Sequence, residues 1–247
     1  MKDILTLWDI DGTLVNVYKY HTPAYQAAIK HIYGINISAS EIEQNYGLPA
    51  REVVAIPVRK LGVAEEVIQA GLDKVFSIYA QQLEEGIKTA SGDETVVLPG
   101  VIRFLEMIRY LDIPRGIVTG NIKQSGEAII RAANLNQFFD PNINSYADNT
   151  TQRKDIVAAA IKKFRENYSV HDEAKIYVLG DTPTDVEAAT SNGCISVAVI
   201  KNSNEADSSP GGDSYRQRKE IMEKANPDFL IDDFTAIEKF FRRMMID

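Results

Sequence analysis

The feature that most restricts how this chain can fold is a series of short apolar runs, rich in Ile and Val, that do not alternate with polar residues. They are "ILTLWDI" (4–10), "RGIVTG" (115–120), "KIYVLGD" (175–181), "CISVAVI" (194–200) and "DFLIDDF" (228–234). A strand with one wet face would alternate. A run that is apolar throughout and bounded by Gly, Asp or Pro reads as a strand buried on both faces of a parallel sheet. Helical patterns lie between the runs: "GVIRFLEMIRYL" (100–111), "SGEAIIRAANL" (125–135), "KDIVAAAIKKFREN" (154–167) and "TDVEAATSNG" (184–193). This alternation predicts an α/β fold with a doubly wound, mainly parallel sheet, a Rossmann-like core.

From about Val17 to Thr95 the alternation stops, and several helical patterns follow one another without a convincing strand. The simplest reading is an α-helical cap over 17–95, inserted after the first strand, with 1–16 and 96–247 forming the core. "SGDETVVLPG" (91–100) would be the return linker. The polar segment "KNSNEADSSPGGDSYRQRK" (201–219) reads as a mobile loop.

Composition narrows the function. With 45% hydrophobic and 25% charged residues, the 247-residue chain is typical of a globular protein. A formal net charge of -8 argues against non-specific nucleic-acid binding, which needs a basic footprint. Any anionic ligand must therefore be met by a local positive site. Cys194 is the only cysteine, which excludes an intrachain disulfide and suits a reducing compartment; its place in an apolar run reads as an inert core thiol. The N-terminal apolar stretch is too short and too acidic for a signal peptide, and no run is long enough to span a bilayer. A soluble, cytoplasmic protein is expected. Trp8 and the Tyr-rich insert read as core, and His31 and His171 as solvated or packed helix residues.

The acids carry the chemistry. In an open α/β sheet, ligands sit beyond the carboxyl ends of the strands. Asp9 and Asp11 stand at one such end, and "VLGDTPTD" delivers Asp181 and Asp185 at another. Four carboxylates in one crevice call for a hard divalent cation, and oxygen-only ligands favour Mg²⁺. A third strand ends in "IVTGN", offering the Thr119 hydroxyl and the backbone N–H groups of Gly120 and Asn121 to a phosphate-like oxyanion. Arg153 and Lys154 open a helix, and either could balance a bound phosphate. A carboxylate nucleophile, a cation site, a phosphate cradle and a second acid describe phosphoryl-group transfer.

The motifs "DIDGT" (9–13), "VTGN" (118–121), a basic residue at Arg153 or Lys154, and "GDTPTD" (180–185) resemble, in order, the four motifs of the haloacid dehalogenase-like hydrolase superfamily. "LPGVIRFLEMI" is similar to its return into the core. The nearest likeness is to the phosphoglycolate-phosphatase-like branch with a helical cap. The resemblance implies an aspartyl-phosphate mechanism on a small phosphorylated metabolite. Asp9 would be nucleophile and Asp11 general acid and base. Thr119 would bond the phosphoryl oxygens. Mg²⁺ would be held by the Asp9 carboxylate, the Asp11 backbone carbonyl and Asp181, with Asp185 as a ligand or as an acceptor behind it. "TQRKDIV" lacks the prolines many relatives have at the third motif and favours Arg153 over Lys154. Asn16 and Val17 replace a common Asp-Ser pair at the cap hinge. "YGLPAREVV" (46–54) resembles the cap loop over the active site, which makes Arg51 a candidate for the substrate's far end. His21 could contact either the core or the substrate.

Within this superfamily a phosphatase is preferred. A phosphomutase is the alternative, and His21 matches a position used in mutases. A 2-haloacid dehalogenase has no need of Asp11, and a non-catalytic binding or regulatory protein has no need of the full acid set.

Overall fold

The computed structural model describes residues 2–46, 48–89, 96–148, 150, 152–200, 215–232 and 234. Its strands are β1 (Lys2–Trp8), β2 (Arg115–Ile117), β3 (Val170–Gly180), β4 (Ile195–Val199) and β5 (Phe229–Ile231). They form one sheet in the order β2-β1-β3-β4-β5, parallel at every pairing. Each expected apolar run contains one strand. Two bounds differ. β5 covers only three residues, and β3 reaches back to Val170, which pairs with Lys2. His171 therefore lies in a strand and not on a helix, with Nε2 3.2 Å from the Asp3 carboxylate.

The lack of alternation in the strands follows from two covered faces. Leu5, Leu7, Ile176 and Val178 pack into one apolar cluster with α7 (Arg153–Asn167) and α8 (Pro183–Ser191). Trp8, Tyr177, Leu179 and Val197 point the other way, into a cluster with α5 (Val101–Tyr110) and α6 (Lys123–Ala132). The doubly wound α/β architecture is as expected. Trp8 anchors the second cluster, with ring centroids 5.5 Å from Phe104 and 5.4 Å from Phe234. Cys194 is buried, and burial pushes its thiol up to about 11, as suits an unreactive core thiol.

Between β1 and α5 the described chain runs through four helices: α1 (Tyr18–Tyr33), α2 (Ala39–Glu43), α3 (Ala50–Lys60) and α4 (Glu65–Lys88). Ser38 and Glu41 close a capping box on α2, and Gly34 ends α1 at φ +70°. Most of the expected return linker, 90–95, lies outside the described residues. Val97 then pairs antiparallel with Val15, so the segment leaves and re-enters the core side by side.

The insert touches the core chiefly through α4 on α6. There Arg131 grips Glu84, with Nε at 3.1 and 3.2 Å and Nη2 at 2.5 Å, and Lys88 adds a contact at 2.6 Å. Hydrogen bonds from Arg131 and Lys88 pull the Glu84 carboxyl down to about 2, from an ordinary 4.5. A carboxyl with a lowered folded pKa stabilises above its unfolded pKa, and that contribution fades as pH falls toward the folded value. Exposed pairs contribute only roughly 0.5–1 kcal/mol, or roughly 1–4 °C in a chain of this size. Glu84→Gln should show that deficit in Tm at neutral pH and lose it progressively as the solution is acidified below 4.5. A deficit that stayed constant on acidification would rule out the ion pair as its cause.

One segment corrects the sequence reading. Of the supposed loop 201–219, residues 201–214 lie outside the described part, but 215–219 begin α9 (Tyr215–Lys224). Its Met222 is buried against Val186, Ala198 and Ile200. The spacing of Tyr215, Ile221 and Met222 supplies one apolar stripe to an otherwise polar helix.

Candidate active site

The sheet order changes direction beside β1 and β3, and the crevice of such a fold lies beyond the carboxyl ends of those strands. Asp9 follows β1 and Asp181 follows β3. Both line a chamber of about 620 Å³, together with Asp11, Thr119, Gly120, Asn121 and Arg153.

Local sequence explains the arrangement. Asp9 continues the sheet, its N–H donating to the Leu179 carbonyl at 2.9 Å. Gly12 then turns the chain at φ +75°, and a Cβ there would stand 1.9 Å from Asp181 Oδ2. Glycine is required by both the backbone and the acid. After β3, Gly180 has the same task, since a Cβ would fall 2.3 Å from the Asp185 carboxyl carbon. "TPTD" is a helix start: Thr182 caps α8, Pro183 takes the first turn, and Asp185 Oδ2 accepts from Thr182 N at 3.2 Å and Oγ1 at 2.7 Å.

Arg153 joins the acids. Its Nη2 lies 2.8 Å from Asp9 Oδ2 and its Nε 2.6 Å from Asp185 Oδ1. Both Asp185 oxygens are thus committed, one to the helix cap and one to Arg153. Arg153 Nη1 is buried without a hydrogen-bond partner, and so is Asp181 Oδ1. Lys154 differs: it is exposed, and Asn192 bonds its backbone carbonyl.

Burial pushes the Asp9 carboxyl up to about 7; Asp185 and Asp11 add to this, and Arg153 opposes it. Asp181 is raised well above the carboxylate range, by burial first and then by Asp9, Asp185 and Asp11. Asp9, Asp181 and Asp185 each present an oxygen within 4.8 Å of the others, and these are carboxylates alone. Crowded hard donors, with Asp9 and Asp181 raised in pKa and one unpartnered oxygen, fit a divalent cation such as Mg²⁺.

Asp11 is handled differently. Burial acts to raise its pKa, but His21 and the bond from Asn121 outweigh it and lower the carboxyl below its usual range. His21 Nε2 lies 3.0 Å from Asp11 Oδ1, and Asn121 Nδ2 donates to Oδ2. His21 is thus a contact between insert and core, backed by Tyr79 OH at 2.5 Å from Nδ1. Thr119 Oγ1 accepts from Asn121 N and Nδ2, both at 3.2 Å, which leaves its own proton for a ligand oxygen. Gly120 keeps the turn open beside Arg153: a Cβ there would lie 3.7 Å from Nη1.

Arg51 is not brought to this group. Its Nη2 bonds Asp73 at 2.8 Å on the exposed side, and it lines a separate cleft. Sequence reasoning also passed over Tyr18, whose hydroxyl donates to Asp181 Oδ2 at 3.2 Å, and α9, whose Arg218, Ile221 and Met222 line the chamber.

The sequence profile of the haloacid dehalogenase-like hydrolases matches residues 6–199, which holds the ends of β1, β2 and β3 and the site residues that follow them. The chain belongs to the haloacid dehalogenase-like hydrolase family. Among curated relatives of this hydrolase, a candidate pyrophosphatase, PpaX, of Clostridium perfringens is 23% identical over 92% of this chain and 91% of that protein. Among solved structures, a variant of CbbY from Rhodobacter sphaeroides bound to xylulose-1,5-bisphosphate superimposes with TM-score 0.68 at 18% identity, covering 96% and 97% of the two chains. A candidate phosphoglycolate phosphatase from Haemophilus somnus gives 0.65 at 18%, covering 97% and 98%. These likenesses establish the fold of this haloacid dehalogenase-like hydrolase. No described helix is long and apolar enough to cross a membrane.

Proposed function

We propose that the protein is a Mg²⁺-dependent phosphatase of small phosphomonoesters, working through an aspartyl-phosphate, with residues 17–95 as its cap. The observation that carries this reading is a pair of buried, unpartnered atoms of opposite character beside Asp9. Asp181 Oδ1 lacks a cation, and Arg153 Nη1 lacks an anion. A buried polar atom without a partner costs about 1–3 kcal/mol, so two of them flanking a buried carboxylate argue for ligands. Asp9, Asp181 and the Asp11 carbonyl would hold the cation, with Asp185 keeping Arg153 in place. When bound, the cation neutralises the carboxylates and the phosphoryl oxygens.

The residues then act in order. Arg153 Nη1, the Thr119 hydroxyl and the N–H groups of Gly120 and Asn121 hold the phosphoryl oxygens. An Asp9 oxygen bonds to phosphorus as the ester oxygen leaves, taking the proton shared in the Asp11–His21 contact. Water next attacks phosphorus and gives its proton to Asp11, releasing phosphate and restoring Asp9. Because His21 comes from α1, the orientation of Asp11 depends on how the insert docks. A phosphomutase would need a second anion site in the chamber, and the only lining cations among the described residues are Arg153 and Arg218.

The reading is tested by phosphate release from a panel of phosphomonoesters. Activity should require Mg²⁺, vanish on exhaustive chelation and be inhibited by Ca²⁺, whose longer, more numerous bonds to oxygen draw Asp9 away from attack. Mg²⁺ binding near pH 6 should also release protons, because Asp9 titrates at about 7 in its buried position. Calorimetry in buffers of different ionisation heat reads this directly. Full turnover under chelation would sink the proposal.

A further inference from the structure

We infer that the chamber is built for a phosphomonoester whose leaving group is aromatic or otherwise apolar, and that α9 helps the cap to read it. This rests on the phosphatase reading and names its substrate class.

Four tyrosines line the chamber, and the hydroxyls of Tyr18, Tyr46 and Tyr79 are already bonded within the protein. Tyr18 binds Asp181, Tyr46 OH lies 2.7 Å from Thr22 Oγ1, Tyr79 binds His21, and Tyr25 packs its ring on that of Tyr79. The ring surface a ligand can reach is mainly that of the half-buried Tyr18 and Tyr46, behind which the buried Tyr25 and Tyr79 stack at 3.9 Å. The remaining wall is apolar and comes from two sources, Leu48 and Val53 around the start of α3, and Ile221 and Met222 on α9. Leu48 and Ile221 are 46% and 42% exposed. Large apolar side chains left wet inside a concave site are those that a ligand's apolar body would cover.

Charge points the same way. Both nitrogens of His21 are bonded, and Arg218, on the same face of α9 as Ile221 and Met222, is already engaged with a partner, although its Nε makes no hydrogen bond. Arg153 Nη1 is the donor available for the transferred phosphate. Beyond Arg153, the one arginine or lysine among the described lining residues is Arg218, so a second phosphate or a carboxylate would meet a single arginine that is already engaged. A hydroxyl-rich sugar would meet rings and aliphatic groups. A chamber of about 620 Å³ also exceeds what a pyrophosphate fills.

The test uses non-hydrolysable phosphonates, so binding is read without turnover. Dissociation constants are measured by calorimetry on the whole protein with Mg²⁺, for benzylphosphonate, methylenediphosphonate, phosphonoacetate and inorganic phosphate. Benzylphosphonate should bind at least about tenfold more tightly than methylenediphosphonate and phosphonoacetate, whose tails are anionic. Leu48→Asn and Ile221→Asn, both neutral changes at exposed positions, should each lower the ratio of benzylphosphonate to phosphate affinity. Equal or tighter binding of methylenediphosphonate or phosphonoacetate would overturn the inference while leaving a phosphatase in place. An unchanged ratio in both variants would do the same. Failure of every compound, phosphate included, to bind would overturn both readings.

Discussion

Asp9→Asn is expected to abolish turnover, whereas Asp11→Asn should stall it after the first step. The two residues stand one apart, yet their environments differ. Asp9 is buried against Arg153 with its pKa raised to about 7, whereas Asp11 is held as a carboxylate between His21 and Asn121. Asn at position 9 removes the attacking oxygen and a cation ligand together, so no phosphoenzyme should form. Asn at position 11 keeps the backbone carbonyl and loses acid–base help, worth about 10²–10⁴-fold. An aryl phosphate with a good leaving group needs little protonation and should still phosphorylate Asp9. Hydrolysis of the aspartyl-phosphate still needs the base, so intact-mass spectrometry of Asp11→Asn after a short reaction should show one phosphate adduct. If neither adduct nor burst is seen, the covalent route is wrong and water attacks the ester directly.

Gly12→Ala should cost nearly as much activity without touching a reactive group. The added Cβ would lie 1.9 Å from Asp181 Oδ2 and 2.9 Å from Tyr18 OH, and the residue holds φ +75°. Left-handed backbone costs an alanine about 1–2 kcal/mol. The overlap must also push the Asp181 carboxylate, which is packed among three other acids, off its position. Mg²⁺ affinity by calorimetry should fall by at least about tenfold and turnover with it, alongside a stability loss of about 2–4 kcal/mol. Gly34→Ala is the control. Gly34 has φ +70° with nothing within 4 Å of the added carbon. It should show the backbone cost and keep metal binding. If Gly12→Ala binds Mg²⁺ as the wild type does, the close packing of Gly12 on Asp181 has no part in forming the site.

The strand ends were legible because their chemistry is written in contiguous residues. "DIDGT" and "GDTPTD" bring Asp9, Asp11, Asp181 and Asp185 to strand ends in contiguous residues, whereas the parts of Gly12 and Thr182 in positioning them show only in the structure. Arg153 was separable from Lys154 only in part, since adjacent helix residues point about 100° apart and docking of α7 decides which faces the crevice. Arg51 shows the same limit: a cation in a suggestive cap loop turns out to face Asp73 on α4, a partner 22 residues away. The α9 helix escaped for a different reason. "YRQRKEIMEK" follows a stretch rich in Ser and Gly and holds few apolar residues, so only the two-turn spacing of Tyr215 to Met222 marked a buried stripe.

The chain departs from the core at Asn16 and returns at Val96. Asn16 N donates to the Val96 carbonyl at 2.8 Å, and Leu98 N to that of Leu14 at 3.0 Å. Crossing points this close turn the intervening helices into a cassette, because exchanging a segment with adjacent ends leaves the spacing of the flanking strands unaltered. Asp9, Thr119, Arg153 and Asp181 would stay behind in such a graft, while His21 and the tyrosine rings would travel with it. On the function proposed above, the insert would carry the tyrosine part of the leaving-group wall, while the strand-end acids and the share of that wall on α9 stay with the core. A new leaving group can be explored by swapping that one length of gene, with the strand ends left as they are.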